Sequence, residues 1–382
     1  MQFKEIVGQE TIKQRLIATV KENRVSHAQL FLGPEGSGSL AVAVAYAQYI
    51  SCENKQENDS CGECSSCRKY QKLVHPDLHF SYPFFAKHKD NTALTFVDQW
   101  RKAFLKNPYL NLDEWRTYLE AENKQANINI AECHQIIRKL SFKPFESEYK
   151  ILIMWLPEYL DKEGNTLLKI IEEPAQKTLF LLVAESQDDI LNTILSRTQL
   201  VKIPTLKDAD VQEYLEQHQH QSADVAAQIA YLSNGNLTAA LHMIARNDSS
   251  YHELFARWLR LCFTNDGLKL IDFTEQLVKL GRENQKNFLQ YGMCFIRECG
   301  MLISGAGSLV HLPEKELVVA QNMAAKVLTM AMVEVIADEL DKAHYHVERN
   351  ANPRILFLDV SLQLVKILKF KTFPQGAQHI LY

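Results

Sequence analysis

The sequence lacks an apolar run long enough to span a membrane, and its first residues lack the apolar core of a signal peptide. It also lacks an excess of positive charge, because 42 Lys and Arg face 46 Asp and Glu and the formal net charge is −4. These absences predict a cytosolic protein that meets nucleic acid only through a local patch or through partner subunits. With 382 residues, the chain is long enough for two or three domains.

A glycine-rich stretch, G-P-E-G-S-G-S-L, lies between a strand-like and a helix-like run. This is where a phosphate-binding loop of pattern G-x-x-x-x-G-K-[ST] is expected. Gly33, Gly36 and Gly38 supply the turn, whereas Ser39 replaces the lysine and Leu40 replaces the hydroxyl residue. A serine cannot place a cation on the phosphates, and a leucine cannot ligate Mg²⁺. We therefore expect a nucleotide-binding fold that binds no ATP of its own.

A second part of the ATP chemistry is missing further along the chain. The run from Lys150 to Leu156 is apolar and is predicted to be a buried strand of a parallel sheet. In a P-loop ATPase, the end of this strand carries acidic residues that hold Mg²⁺ and orient water. Trp155 and Leu156 occupy these places here, and Glu158 is the next acidic residue.

Four of the eight cysteines fall within sixteen positions, as Cys52-x₈-Cys61-x₂-Cys64-x₂-Cys67. Four thiolates on a short, turn-rich segment suit tetrahedral Zn²⁺, and a full set of cysteines indicates a structural site. Iron–sulfur clusters use similar spacing, although the proline that follows the last cysteine in one common version is missing. Free surface thiols are the remaining alternative. We expect zinc.

Strand-like runs alternate with helix-like runs up to Pro204, which predicts an α/β domain with a parallel, P-loop NTPase-like sheet over 1–204. The rest is predicted to be helical, with a small unit over 205–248 and about five helices over 249–382. Residues 83–127 are predicted to be a helical insert. Its aromatic and lysine side chains could bind single-stranded nucleic acid, but an aromatic stripe at helical spacing is more often core.

The chain resembles the clamp-loader AAA+ proteins nearly from end to end, and among them the delta-prime subunits of bacterial DNA polymerase III. Besides the four-cysteine module, the stretches that carry the resemblance are Val7–Glu10, Ser26–Ala28, His75–Asp77, Asn165–Pro174, Thr193–Arg197 and Asn350–Arg354. Thr198 departs from the cysteine commonly found after the Ser-Arg pair, and the 83–127 insert is longer than usual.

The resemblance implies an AAA+ domain, a helical lid and a helical collar that oligomerises. The ATPase subunits of this family, gamma and tau, keep an intact phosphate loop and acidic residues after the third strand. This chain also has Thr238 in place of the sensor-2 arginine, and Ala184-Glu185 where a small polar sensor-1 residue is expected. The resemblance further implies that Arg197 is an arginine finger, which reaches the γ-phosphate of ATP bound on a neighbouring subunit. A simple ion pair with a nearby carboxylate is the alternative role for this arginine.

The expected partners are the gamma/tau ATPase subunits and the delta subunit, with the sliding clamp and primed DNA reached through the complex. Two other functions stay open at this point. The chain could be an active gamma/tau-like ATPase subunit, or it could be a zinc-dependent DNA-binding module that acts alone.

Overall fold

The computed structural model describes residues 1–372 except 86–87, 89, 122–124, 246–248, 308–309, 311 and 350. The chain separates into two compact units, Met1–Ala240 and Leu241–Tyr382. The first unit contains a sheet with helices and the second is helical in its described part, so the predicted fold class is confirmed. The finer division at 204 and 248 stays a prediction.

The first unit is organised around one sheet of five parallel strands. They are β1 (Ala28–Leu32), β2 (Leu78–Ser81), β3 (Lys150–Trp155), β4 (Thr178–Ala184) and β5 (Gln199–Lys202). The spatial order is β2-β3-β4-β1-β5, and Leu30 of β1 pairs with Leu182 of β4 on one side and Leu200 of β5 on the other. Because β1 is an inner strand, the loop that follows it lies beside the carboxyl ends of β4 and β5.

Eleven α-helices begin among the described residues of the first unit. They are α1 (Glu10–Lys21), α2 (Ser39–Ser51), α3 (Ser65–Gln71), α4 (Val97–Lys106), α5 (Leu112–Tyr118), α6 (Ile130–Leu140), α7 (Leu168–Glu172), α8 (Asn192–Leu195), α9 (Asp208–Gln219), α10 (Ala223–Ser233) and α11 (Leu237–Ala245). A 3₁₀ segment over Pro157–Leu167 precedes α7. Asp161 has non-helical backbone angles within this segment, so residues 157–172 do not form one continuous helix.

Both faces of the sheet are covered, which explains why its inner strands are mostly apolar. One face packs against α2, whose residues are buried from Ser39 to Ile50 because the helix is apolar on nearly every side. The other face packs against α6 through Ile136 and Leu140. This arrangement fixes the strand ends that carry the candidate site.

The 83–127 insert packs onto the first face of the sheet. An antiparallel bridge between Phe84 and Asn127 closes its base. Trp100 and Trp115 are fully buried, and Trp100 stacks on Tyr82 at a centroid distance of 4.1 Å. These tryptophans belong to the core, as the sequence favoured, and are not available as a stacking surface for nucleic acid.

The second unit contains six described helices beginning at or after residue 249, where about five were predicted. They are α12 (Ser249–Thr264), α13 (Gly267–Val278), α14 (Arg282–Ile303), α15 (Glu314–Lys326), α16 (Met330–Glu348) and α17 (Pro353–Leu368). The missed break separates α15 from α16, where Thr329 caps α16 by accepting a hydrogen bond from the Met332 N–H. No glycine or proline marks this break. Cys262, Cys294 and Cys299 are buried.

None of the helices in the described ranges has both the length and the hydropathy that a membrane crossing requires.

Candidate functional site: a filled phosphate loop and an exposed arginine

The glycine-rich loop joins β1 to α2, as the sequence predicted. Gly36 and Gly38 have φ angles of +71° and +85°, which L side chains rarely adopt. Ser39 turns inward, and its hydroxyl lies 2.9 Å from the hydroxyl of Ser37. Both serines are buried, and Leu40 packs in the core. The loop therefore keeps its turn, but neither of the two diagnostic positions carries a charge or a metal ligand.

Tyr109 of the insert fills the space above this loop. The tyrosine is buried, and a Cβ atom added to Gly38 would lie 2.8 Å from its Cε1 atom. The cavity that remains is lined by the loop from Gly33 to Leu40, by Pro108–Leu110 and by the ends of β3 and β4, and its volume is about 30 Å³. That is about the share of one water molecule in the liquid, whereas small-molecule sites occupy roughly 300–1,000 Å³.

Buried apolar side chains also occupy the carboxyl end of β3. Trp155 and Leu156 are buried, at the positions where acidic residues would hold Mg²⁺. Glu158 accepts hydrogen bonds from the backbone N–H groups of Glu185, at 2.6 Å, and Ser186, at 3.0 Å. Burial raises the pKa of Glu158 in spite of these bonds. This carboxyl group therefore holds the loop after β4 in place.

Arg197 lies at the opposite edge of the sheet from the glycine-rich loop. It comes two residues before β5, whereas the loop follows β1, and β1 and β5 are parallel neighbours. The loop is thus at the carboxyl ends of the strands and Arg197 at their amino ends. At 3.2–3.4 Å per residue, the two sites are about 15–20 Å apart along the strands. Arg197 cannot serve the phosphate loop of its own chain.

The Arg197 guanidinium is partly exposed and makes one ion pair. Its Nε donates to Glu172 Oε2 at 3.0 Å, and its Nη1 donates to the Thr193 carbonyl at 2.9 Å and to Ser196 Oγ at 3.2 Å. None of the described residues accepts a hydrogen bond from Nη2. Glu172 is 56% exposed, and surface pairs of this kind contribute about 0–1 kcal/mol. The carboxylate partner named as an alternative is therefore present, but it holds the arginine weakly.

The four cysteines Cys52, Cys61, Cys64 and Cys67 converge as the sequence predicted. All four Sγ atoms lie within 4.8 Å of one another, with Cys52–Cys61 at 3.6 Å and Cys61–Cys67 at 3.9 Å. Tetrahedral Zn²⁺ with Zn–S bonds of 2.3 Å requires S···S separations of about 3.8 Å. The donor set and its spacing fit a structural zinc ion.

Backbone N–H groups face these sulfurs. The Cys64 N–H donates to Cys61 Sγ at 3.3 Å, and the Cys61 N–H donates to Cys52 Sγ at the same distance. Burial alone would raise the pKa of Cys61, but the N–H groups of Cys64 and Glu63 bring it down to about 7. The environment of Cys61 therefore favours its thiolate, which is the form that binds metal, whereas burial raises the pKa of the Cys52 and Cys67 thiols.

The cysteine module braces the amino terminus of the chain. The Asp59 carboxylate accepts hydrogen bonds from the N–H groups of Phe3 and Lys4, both at 3.0 Å, and Gln2 Nε2 donates to the Ser60 carbonyl at 2.6 Å. The module therefore shapes the segment that leads to Val7 and Gly8.

His75 and His79 lie outside the cysteine cluster among the described residues. His75 Nδ1 accepts a hydrogen bond from the Asp77 N–H at 3.1 Å. Burial lowers the pKa of His79 to about 4, so it is neutral at pH 7. Asp77 in turn accepts from the backbone N–H groups that follow Pro144, which fixes the loop between α6 and β3.

The sequence missed the position of Tyr109 over the loop. Tyr109 was counted in the aromatic stripe of the insert, yet it lies between α4 and α5 and not on either helix. The sequence feature that could have indicated this position is Asn107-Pro108, because an Asn-Pro pair favours a turn and so ends the helix before Tyr109. Thr238, predicted at the sensor-2 position, is buried and donates from its hydroxyl to the Tyr109 carbonyl at 2.5 Å.

Known proteins similar to this chain include three subunits of DNA polymerase III. Subunit tau of Bacillus subtilis is 23% identical over 93% of this chain and 60% of its own length. Subunit delta′ of the same organism is 25% identical over 63% of this chain and 60% of its own length. Subunit delta′ of Escherichia coli is 26% identical over 60% of this chain and 57% of its own length. The chain thus spans less than two thirds of each relative.

Among solved structures, a gamma subunit-related protein of DNA polymerase III from Thermotoga maritima aligns over 93% of this chain and 98% of its own, with 13% identity and a TM-score of 0.38. The family model described as DNA polymerase III, delta subunit, matches residues 8–207. Since this match covers slightly more than half of the chain and carries the whole sheet, the chain belongs to the DNA polymerase III delta-subunit family.

Proposed function

We propose that this chain is a delta-prime-like subunit of a DNA polymerase III clamp loader that hydrolyses no nucleotide itself. In this role it supplies Arg197 to ATP bound on a neighbouring subunit. It contributes in this way to loading the sliding clamp onto primed DNA in the cytoplasm. Its neighbours would be ATPase subunits of the gamma/tau type and a delta subunit, and the helical second unit would join their collar.

One observation carries this proposal: the arginine and the phosphate loop lie at opposite ends of the same parallel sheet. An arginine at the amino ends of the strands can reach only a phosphate outside its own chain. A planar guanidinium stabilises the charge that develops on the transferred phosphoryl group. Its present partner, Glu172, is a surface carboxylate that a triphosphate can displace.

A gamma/tau-like ATPase is the main alternative, because the tau relative matches over 93% of this chain. Ser39, Leu40 and Trp155 count against it, since none can hold a phosphate or Mg²⁺. A stand-alone zinc-dependent DNA-binding module is the other alternative. It would require strongly salt-dependent DNA binding by the isolated chain, which we do not expect at a net charge of −4.

The proposal is tested by Arg197→Ala in a complex reconstituted with the ATPase subunits. We expect the complex to assemble and its DNA- and clamp-stimulated ATPase rate to fall about 10³-fold, in the range attributed to arginine fingers. Arg197→Lys should be almost as defective, because lysine keeps the charge but loses the planar, forked geometry.

Arg24→Ala is the matched control, since Arg24 also forms an exposed pair with a glutamate, Glu22. It should leave the rate unchanged. An unchanged rate with Arg197→Ala in an assembled complex would remove the finger assignment.

A further inference from the structure

The turn that carries Tyr109 contacts three separate segments of the chain around the glycine-rich loop. It lies over the glycine-rich loop, below the first turn of α11 and beside the segment at Val7. We propose that this turn, residues 107–111, is a built-in occupant of the nucleotide site, which holds these three segments together without any ligand. The inference rests on the proposed function, in which the chain uses no ATP of its own.

Tyr109 links two of these segments by its own polar atoms. The Val7 N–H donates to Tyr109 Oη at 2.9 Å, and Thr238 Oγ1 donates to the Tyr109 carbonyl at 2.5 Å. Val7 and Thr238 are more than 200 positions apart in the sequence and are joined here through one residue. The aromatic ring lies against Gly38 between them.

Glu35 of the glycine-rich loop makes a second link. Its Oε1 accepts a hydrogen bond from Asn111 Nδ2 at 3.2 Å and from Asn236 Nδ2 at 3.3 Å. The Leu237 N–H also donates to the Gly36 carbonyl at 3.2 Å. The loop's backbone and side-chain acceptors therefore bind protein groups.

Hydrogen bonds within the turn and at the start of α5 fix its conformation independently of its contacts with the glycine-rich loop. Asn107 Oδ1 accepts from the Tyr109 N–H at 3.0 Å, and Asn107 Nδ2 donates to Glu114 at 2.9 Å. Asn111 and Glu114 form a reciprocal capping box at the start of α5. Because the turn is anchored at both ends by helices, it resembles a preorganised ligand more than a mobile loop.

A cavity of about 30 Å³ leaves no room for a triphosphate beside this turn. The phosphates of a nucleotide could reach the loop only if Tyr109 left. Its departure would free the Val7 N–H and the Thr238 hydroxyl, and α11 would lose part of its attachment to the loop.

The test is hydrogen–deuterium exchange of the full-length chain, read by mass spectrometry. Tyr109→Ala should raise exchange about 10-fold or more in peptides covering residues 5–12 and 232–240, because local opening becomes easier. Peptides from β3 and β4 should keep their protection. Tyr118→Ala is the matched control, since it removes a partly exposed tyrosine of the same insert, and it should change neither peptide.

Tyr109→Phe separates the two links and replaces the alanine variant if that variant does not fold. It removes the hydroxyl that accepts from the Val7 N–H but keeps the ring against Gly38, which holds in place the backbone carbonyl that Thr238 contacts, so exchange should rise at 5–12 and stay low at 232–240. Unchanged exchange at 5–12 in the phenylalanine variant would overturn the inference.

Millimolar MgATP supplies the second readout. It should leave exchange of the wild-type chain unchanged in all these peptides, and new protection at 33–42 would overturn the inference by showing that the turn is displaceable. The proposed function fails through a different result, an unchanged ATPase rate of the Arg197→Ala complex, so the two failures are distinguishable.

Discussion

The carboxyl ends and the amino ends of the parallel strands, here called the carboxyl edge and the amino edge of the sheet, differ in chemistry although they belong to the same strands. At the carboxyl edge, the glycine-rich loop is neutral at its diagnostic positions, buried and hydrogen-bonded to its own chain. At the amino edge, Arg197 is charged, partly exposed and hydrogen-bonded to one surface carboxylate, to the Thr193 carbonyl and to Ser196. The proposed function accounts for this difference: the nucleotide-binding fold serves as a scaffold, and its exposed arginine would meet a phosphate outside the chain.

The largest effect on stability should come from removing zinc from the cysteine module. This experiment tests whether the carboxyl edge of the sheet depends on that module. A strong chelator, or Cys64→Ser, should lower the free energy of unfolding by on the order of several kcal/mol, because structural zinc contributes directly to folding. Thermal denaturation with and without added zinc measures this.

Exchange at residues 1–7 should rise most, since Asp59 and Ser60 hold this segment. The Cys64→Ser variant should not respond to the chelator. A chain with the same unfolding midpoint after complete zinc removal would show that the cluster is not structural.

A smaller effect is expected from Gly38→Ala, which adds one methyl group at the contact between the loop and Tyr109. The added Cβ would lie 2.8 Å from the ring, and a φ of +85° is strained for alanine. The expected loss is about 1–3 kcal/mol, measured by chemical denaturation.

In the Tyr109→Ala background, Gly38→Ala should lower the free energy of unfolding by less, because the clash with the Tyr109 ring is absent. A double-mutant cycle measures this coupling. Gly267→Ala is the matched control: nothing lies within 4 Å of its added Cβ, and it starts α13. It should be neutral or stabilising. Strict additivity of Gly38→Ala and Tyr109→Ala would contradict the contact.

The smallest effect should follow Glu172→Gln, which removes the charged partner of Arg197 at the open edge. Since both side chains are partly exposed, the free energy of unfolding should change by less than about 1 kcal/mol. The ATPase rate of the reconstituted complex should stay the same or rise slightly, because the guanidinium becomes free to meet a phosphate. A fall as large as that of Arg197→Ala would mean that Glu172 positions the finger, and the weak-pair account would be wrong.

Much of this arrangement could be predicted from the sequence, because it depends on local patterns. The apolar runs at β1, β3 and β4 specified strands that are buried on both faces, and the cysteine spacing specified a cluster. The aromatic stripe of the insert correctly predicted core positions for Trp100 and Trp115.

What could not be predicted depends on contacts between distant positions or on weak local signals. Tyr109 meets Val7, Gly38 and Thr238, and no periodicity links these positions. The break before α16 depends on the Thr329 cap alone. The 3₁₀ segment at Pro157–Leu167 lies in a stretch whose composition also suits an α-helix, so its backbone geometry was missed.

The central claim is that this chain offers a guanidinium to another subunit's nucleotide and holds none itself. Calorimetric titration of the zinc-loaded, full-length chain with MgATP tests the second half most directly. The account predicts no saturable binding up to millimolar nucleotide, because the loop has no cation and Tyr109 occupies its space. Saturable binding in the micromolar range would contradict it.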